Sequence, residues 1–513
     1  MIKSIEIFIK KLWKHEIQPH TAYYLLLTSI LFLALFVRVY RVGDLLGFWY
    51  DQGRDALIIW KLWHEGKFFL IGPVTGLAGI FLGPMYYYLI APLYLIGGGN
   101  PVYPVVFLAL LSVFAIFMLF VTVYDMHSRG AGLIAVIIAS CSYYIIIVNQ
   151  WLSNPNPIFL TSVLFLLALW KIVRGKSKKV DSTWWVLALL MLGLSLQFES
   201  ASAIFYLPVM VVFIIWQKKS LPSRTLLIAL SLFFATLLPQ IIFNFRHDNI
   251  LFSNLQKLFF EEKAFRGISG FILEEKIKYF WTVISSKLYP KGSLLSLTFI
   301  ILVFSSLVVR RGFLKKGLTG LFMIFLLTPV FFVTFFQGNF GHLYDYYMSG
   351  YYLPFVAIFS IGMAELWRTN IGKISVIIFF VTFLNANGIL IKNRLTDQLQ
   401  GQTDISFANQ VKAVDWIFNN AAGKGNFNVD IYVPPVIPYA YDYLILWQGT
   451  KICGESMCGK VDYQTPLLYT LYESDPPNPE RLETWLLRQE KIGVVQDEGK
   501  YGGITVQRRK RIQ

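Results

Sequence analysis

Apolar runs recur along the chain as far as residue 391, at roughly 22–40, 82–97, 102–124, 130–148, 157–172, 184–196, 201–216, 226–245, 293–309, 317–336, 351–367 and 374–391. They are continuous rather than alternating, so they read as buried or lipid-facing helices and not as half-exposed strands. Most approach the length that a helix needs to cross a bilayer. Short basic segments punctuate them: "KIVRGKSKK" (171–179), "QKKSLPSR" (217–224), "RRGFLKKG" (310–317) and "RTNIGK" (368–373). Loops rich in Lys and Arg stay on the cytoplasmic side. Between them "SLQFES" (195–200), the stretch 246–290 and "QGNFGHLYDYY" (337–347) then face outward.

Counting from these anchors exposes a conflict. Span one, 22–40, ends outside, and so does the segment before residue 102. The run 82–97 therefore enters and leaves by one face, and its Gly83, Pro84 and Pro92 suit a segment that does not cross. About eleven to twelve spans are expected, with eleven crossings favoured; a full crossing at 82–97 would require one later hydrophobic run not to cross. The lead-in with Lys3, Lys10, Lys11 and Lys14 reads as cytoplasmic, and the first run as an uncleaved anchor. Residues 48–80 mix Trp49, Trp60 and Trp63 with charges, a pattern of interfacial helices.

The pattern changes after 391. "SFANQVKAVDWIFNNAAG" (406–423) has helical spacing, with Gly423 as a stop, and "FNVDIYVPP" (427–435) reads as a strand. "PERLETWLLRQEKIGVVQDEG" reads as a helix followed by a strand. The expected organisation is a transmembrane unit, 1–391, with interfacial helices in its first outer loop (41–81), and a small extracytoplasmic α/β domain, 392–513.

Composition agrees. Of 513 residues 56% are hydrophobic and 15% charged, with mean hydropathy +0.55. That is a polytopic α-helical membrane protein. The net charge of +16 reads as the retention of inner loops rather than as nucleic-acid binding. Cys141 lies in an apolar run. Cys453 and Cys458, in "CGESMCG", would close a small disulfide loop in an oxidising compartment. Further ligands for zinc are not nearby, so no metal is indicated, although a divalent ion stays open.

Ionisable residues are costly near hydrocarbon. "FWYDQGRDALIIW" (48–60) nevertheless places Asp51, Arg54 and Asp55 straight after the first span, three and four apart and so on one helical face. A salt-bridged exposed turn is one reading; chemistry at the interface is the other.

That motif, of the form D-(E/Q)-x-R-(Y/D)-A, precedes interfacial helices and a Pro-containing segment leading into "YYYLIAPLYLIGG". It resembles the GT-C superfamily of membrane glycosyltransferases, in the branch of the protein O-mannosyltransferases and lipid A aminoarabinose transferases. The resemblance covers the layout of about residues 20–220 and is strongest at 48–97. It implies an inverting enzyme that moves a sugar from a polyprenyl-phosphate donor to an acceptor hydroxyl on a protein, lipid or glycan, at the extracytoplasmic face of the cell membrane. Asp51 matches the family's base, and Arg54 its contact to the lipid phosphate. Two departures stand out. Gly83 precedes Pro84 where many relatives carry a basic residue, and "NQWLSNPNP" (149–157) lacks the second outer carboxylate, leaving Asn154 and Asn156 as polar substitutes.

The physical chemistry fits. A sugar phosphodiester loses a phosphate monoester, so charge accumulates where a guanidinium is the matching group, and a hydroxyl nucleophile needs a carboxylate in reach. Further substrate-binding candidates on the outer face are Asp55, Glu199, Arg246, His247, His342 and Tyr346. Glu199 reads equally as a residue at a wet turn, and Arg246 with His247 as an interfacial anchor. The alternative class is a lipid or solute transporter, which would place its charges near the midplane in two repeated halves; here charges gather at span ends and no repeat is evident. A scaffold that only binds lipid-linked glycans is a third reading.

Overall fold

The computed structural model describes residues 21–75, 79–175, 178–218, 222–261, 270–290, 294–309, 317–336, 343–434 and 437–512. His342 and the lysines of the N-terminal lead-in lie outside the described residues.

Each apolar run falls on a helix. The first is α1 (Thr21–Val39). The loop after it holds α2 (Val42–Leu45) and α3 (Tyr50–Glu65). Next come α4 (Met85–Ile96), α5 (Val102–Met126), α6 (Arg129–Cys141), α7 (Tyr143–Gln150), α8 (Ile158–Arg174) and α9 (Lys178–Phe198). A single turn, α10 (Ser200–Ala203), leads into α11 (Tyr206–Gln217), α12 (Ser223–Arg246), α13 (Ile250–Gln256) and α14 (Gly270–Ser285). The bundle closes with α15 (Leu294–Val309), α16 (Leu318–Phe335), α17 (Ser349–Leu366) and α18 (Asn370–Thr396).

Among the described residues six helical stretches are long and apolar enough to cross a membrane, and α6 with α7, bent by 62°, make a seventh if they form one span. Helix length alone thus supports fewer than the eleven crossings expected; the apolar parts of α1, α9 and α15 are shorter. The run 82–97 is the 12-residue α4, about 18 Å long at the helical rise, well short of a ~30 Å hydrocarbon core.

The break between α6 and α7 has a physical cause. The last carbonyls of a helix have no partner within it. Arg38, fully buried at the end of α1, supplies one. Its guanidinium donates to Ala139 O at 3.1 Å, Ser140 O at 3.5 Å, Ala34 O at 3.0 Å and, twice, to Asn149 Oδ1 at 3.2 Å. One cation therefore ties the first span to both arms of the bend.

The C-terminal unit opens on α19 (Phe407–Ala421), N-capped by Ser406, which accepts from Asn409 N at 3.3 Å. Then follow β1 (Phe427–Tyr432), α20 (Tyr439–Cys453), β2 (Leu467–Glu473), α21 (Pro479–Ile492), β3 (Gly493–Tyr501) and β4 (Ile504–Arg511). The sheet order is β1-β2-β4-β3, with β1 parallel to β2 and the other pairs antiparallel. Cys453 and Cys458 are disulfide-bonded.

This unit is not a loose appendage. Phe48, Ile59 and Tyr94 share one apolar core with Phe407, Tyr443 and Trp447. Phe407 N donates to Leu46 O at 3.0 Å, Trp447 Nε1 to Gly98 O at 2.7 Å, and Tyr443 OH to Gly99 O. At Gly53 the start of α20 comes so close that an added Cβ would lie 2.3 Å from Ala440 N. Only glycine permits that contact.

Replacing Arg38 with Met strands the carbonyls at the α6–α7 bend. Unpartnered buried polar groups cost about 1–3 kcal/mol each, so the thermal midpoint in detergent should fall clearly, and Arg38→Lys should recover part of the loss.

Candidate active site

The amphipathic spacing of "YDQGRDALIIW" makes α3 a helix with one polar and one apolar face, and its first turn carries the charges. Arg54 is forked between two carboxylates. Nη1 lies 2.8 Å from Asp51 Oδ1, Nη2 2.8 Å from Asp55 Oδ1, and Nε donates to Asp55 Oδ1 at 3.0 Å. Asp55 also accepts from Tyr87 OH at 3.0 Å. The two acids differ sharply in exposure: the Asp51 side chain is 65% exposed, that of Asp55 only 8%. Burial pushes the Asp55 carboxyl up to about 6, with Arg54 and Tyr87 pulling it back. Burial also works against the Arg54 charge, but Asp55 and Asp51 outweigh it and hold the guanidinium protonated beyond its ordinary range. Asp55 therefore anchors Arg54, and Asp51 is the carboxylate free to meet a ligand.

A cavity of about 890 Å³ opens beside this turn. Asp51, Arg54, Asp55, Glu199 and Tyr346 all line it, so five of the positions singled out in the sequence converge. Most of the remaining wall is apolar, from Val148, Leu196, Phe205, Leu255 and Phe332 among others. Arg246 and His247 do not line it. They sit exposed at the end of α12, with His247 Nδ1 2.8 Å from Phe243 O and its ring stacked 4.0 Å from Phe243.

Glu199 is buried at the break between α9 and α10. Its oxygens cap α10, accepting from Ala201 N at 2.9 Å, Ser202 N at 2.7 Å and the Ser202 hydroxyl. Burial pushes its carboxyl up to about 7 against these bonds. Asn154 lines the cavity and donates to Phe198 O at 2.8 Å. Asn156 instead holds the loop from within, donating to Asn149 O at 2.8 Å.

The cavity also has polar members that sequence reading passed over: Gln52, Gln240, Tyr279 and Tyr347. Gln240 had a signal, since "LLPQII" puts Pro and Gln inside an apolar run. Its Nε2 donates to Phe81 O at 3.1 Å and its Oε1 accepts from the buried Gln197 at 2.6 Å. This pair explains Gly83. A Cβ there would lie 1.7 Å from Gln197 Oε1, so a long basic side chain has no room. Among the described residues no group of three His, Cys, Asp or Glu could hold a metal ion.

Comparison with known proteins fits this geometry. Residues 82–243 match the family model of the dolichyl-phosphate-mannose-protein mannosyltransferases. The structure aligns with ArnT from Cupriavidus metallidurans bound to undecaprenyl phosphate, at TM-score 0.60 and 10% identity, covering 95% of this chain and 98% of that one. It aligns with the Archaeoglobus fulgidus oligosaccharyltransferase in complex with zinc and sulfate at TM-score 0.52 and 12% identity, over 92% and 71%. With the same organism's AglB, in complex with an inhibitory peptide and a dolichol-phosphate, the TM-score is 0.50 at 11% identity, over 92% and 72%. No curated protein matches the sequence.

Because the fold raises the Glu199 carboxyl from 4.5 to about 7, the protonated form is the favoured one in the folded state. The associated stability is full below about pH 4.5 and is lost as pH rises through 7, by about 3 kcal/mol in all. Glu199→Gln should flatten that part of the pH–stability curve, read by thermal unfolding between pH 4.5 and 8.

Proposed function

We propose that this chain, a membrane protein of the GT-C glycosyltransferase fold, moves a sugar from a polyprenyl-phosphate donor to an acceptor hydroxyl at the extracytoplasmic face, with inversion at the anomeric carbon. The observation that carries the reading is the Asp51–Arg54 pair, 2.8 Å apart at the wall of a large, mostly apolar cavity. An isoprenoid chain suits that apolar wall, and a phosphate suits the Arg54 guanidinium. The neighbouring folds were captured with undecaprenyl phosphate and with dolichol-phosphate, which favours the same donor class here.

In this scheme Arg54 holds the donor phosphate. Its fork presents fixed donors to oxygens that gain charge as the bond from phosphate to the anomeric carbon breaks, inside a medium where such contacts strengthen. Asp51 takes the proton of the acceptor hydroxyl as that oxygen attacks the anomeric carbon. The lipid departs as its monophosphate, and the sugar stays on the acceptor. Asp55 keeps Arg54 in place. Tyr346 and Glu199 lie on other parts of the same wall, where they would face sugar or acceptor. The donor and acceptor partners are thus lipid-borne sugar and an alcohol on protein, lipid or glycan.

Sidedness draws support from the basic loops at 171–179, 310–317 and 368–373, which belong inside, and from the Cys453–Cys458 bond, which belongs in an oxidising compartment. On this reading residues 1–391 form the membrane transferase and 392–513 an extracytoplasmic domain.

Incubating the purified chain with a panel of polyprenyl-phosphate sugars should show one donor consumed. Asp51→Asn should then slow transfer by a factor of about 10²–10⁴ with lipid-phosphate binding retained, and an unchanged rate would remove Asp51 from the role of base. Arg54→Lys keeps the charge but loses the fork, and should raise the donor KM and lower kcat together.

A further inference from the structure

The turn that carries Asp51 begins without a good cap. Helices start best from Ser, Thr, Asp or Asn, whose side-chain oxygen accepts a free backbone N–H. Here the preceding residue is Trp49, which has no acceptor. Its own N–H is met by Gln52 Oε1 at 3.2 Å, while Gln52 Nε2 reaches across to Leu152 O at 3.2 Å. The remaining support comes from the C-terminal unit.

Gln410, on α19, is 1% exposed. Its Nε2 donates to Phe48 O at 2.9 Å, three residues before Asp51, and Phe48 is itself fully buried. From the side opposite the charges, α20 presses its backbone onto Gly53, and the Tyr439 ring lies 4.9 Å from that of Tyr50. Phe48 also meets Phe407 at 5.6 Å and Tyr443 at 5.8 Å. A helix end of this kind frays unless something fixes it. Beside the local Gln52 and Arg54 contacts, the groups that hold it, Phe407, Gln410, Ala440 and Tyr443, lie more than 350 residues further along the chain.

We infer that Gln410 is a positioning residue: by holding the Phe48 carbonyl it sets the first turn of α3, and with it the place of the Asp51 carboxylate, which makes the C-terminal unit an integral part of the active site. The inference rests on the reading of Asp51 as the base. A carboxylate that must meet both a hydroxyl and an anomeric carbon tolerates little displacement, since about 1 Å of misplacement can slow a reaction a hundredfold.

The test uses the full-length protein in nanodiscs. Gln410→Met keeps the volume and removes the donor. Amide hydrogen exchange at Gly53, Arg54 and Asp55 should quicken about tenfold, while α21 exchanges as in the wild type. With the donor identified, kcat should fall about tenfold to a hundredfold at unchanged donor KM, and Gln410→Asn should restore neither, its amide being one methylene short of Phe48 O. Gly53→Ala should move the same amides by pushing α20 away. Faster exchange spread equally over α3 and α21, or a kcat unaffected by Gln410→Met, would overturn the proposal. A wild-type chain silent toward every lipid-phosphate sugar would instead overturn the Asp51 reading, with the exchange contrast left standing.

Discussion

Cations held by several fixed acceptors, two of them buried, set the polar walls of the cavity. A charge removed from water is costly unless several well-placed acceptors meet it, so wherever the fold buries one the surrounding backbone is tightly fixed. Arg54 is forked between Asp51 and Asp55 and fixes the wall made by α3. Arg38 gathers carbonyls from α1 and α6 and the Asn149 amide oxygen, and so fixes the start of the loop whose Trp151, Leu152, Ser153 and Asn154 line the same cavity. Lys287, 1% exposed, pairs with Asp345 at 2.8 Å and lies 4.0 Å from the Tyr352 ring. Asp345 opens the short 3-10 turn that brings Tyr346 and Tyr347 to the third wall. Arg38 and Lys287 each join segments far apart in sequence, whereas Arg54 is met by two carboxylates within one turn of its own helix.

Glycine and amide contacts complete the enclosure. Gly72 and Gly83 cross so closely that a Cβ at Gly72 would lie 2.0 Å from Gly83 O, which lets residues 73–75 and 80–82 line the cavity. Gln240 fastens that segment through Phe81 O. The departure at Gly83 from the pattern of the resembling family is therefore a packing consequence: Gln197 fills the space, and a neutral amide pair stands where a cation would need room.

Much of this was legible in the sequence. Hydrophobic runs are a direct record of burial in lipid or core, and each became a helix. The i, i+3 and i, i+4 placement of Asp51, Arg54 and Asp55 reports their shared face because both partners of each contact lie within one turn. Ser406, the run from Phe407 and the strand at 427 likewise show in local pattern. Other features depend on partners far apart in sequence. Nothing near Gly53 announces that Ala440 will rest on it, and β4, "ITVQRRKR", looks like a basic tail until β2 and β3 flank it. Arg246 and His247 show the converse: a basic pair at a span end matches a phosphate site and an interfacial anchor equally, and the structure leaves both residues outside the cavity wall.

The same distinction bears on how the two acids of the motif divide their work. Identical side chains four residues apart, both at the cavity wall, meet different environments because α3 leaves Asp51 exposed and turns Asp55 onto Tyr87 and α4. Asp55, dry and raised to about 6, is suited to gripping a neighbour and poorly suited to taking up and releasing protons against solvent. Asp51, open to the cavity, keeps a carboxylate oxygen free of backbone and helix-cap duties, in contrast to Glu199, both of whose oxygens are engaged in capping α10. Of the three carboxylates among the described lining residues, the one combining exposure with a fixed guanidinium at 2.8 Å is Asp51. In the proposed transfer a base must meet its substrate, and the anion it helps to expel must meet a cation; that turn of α3 places a carboxylate and a guanidinium within one side chain's reach.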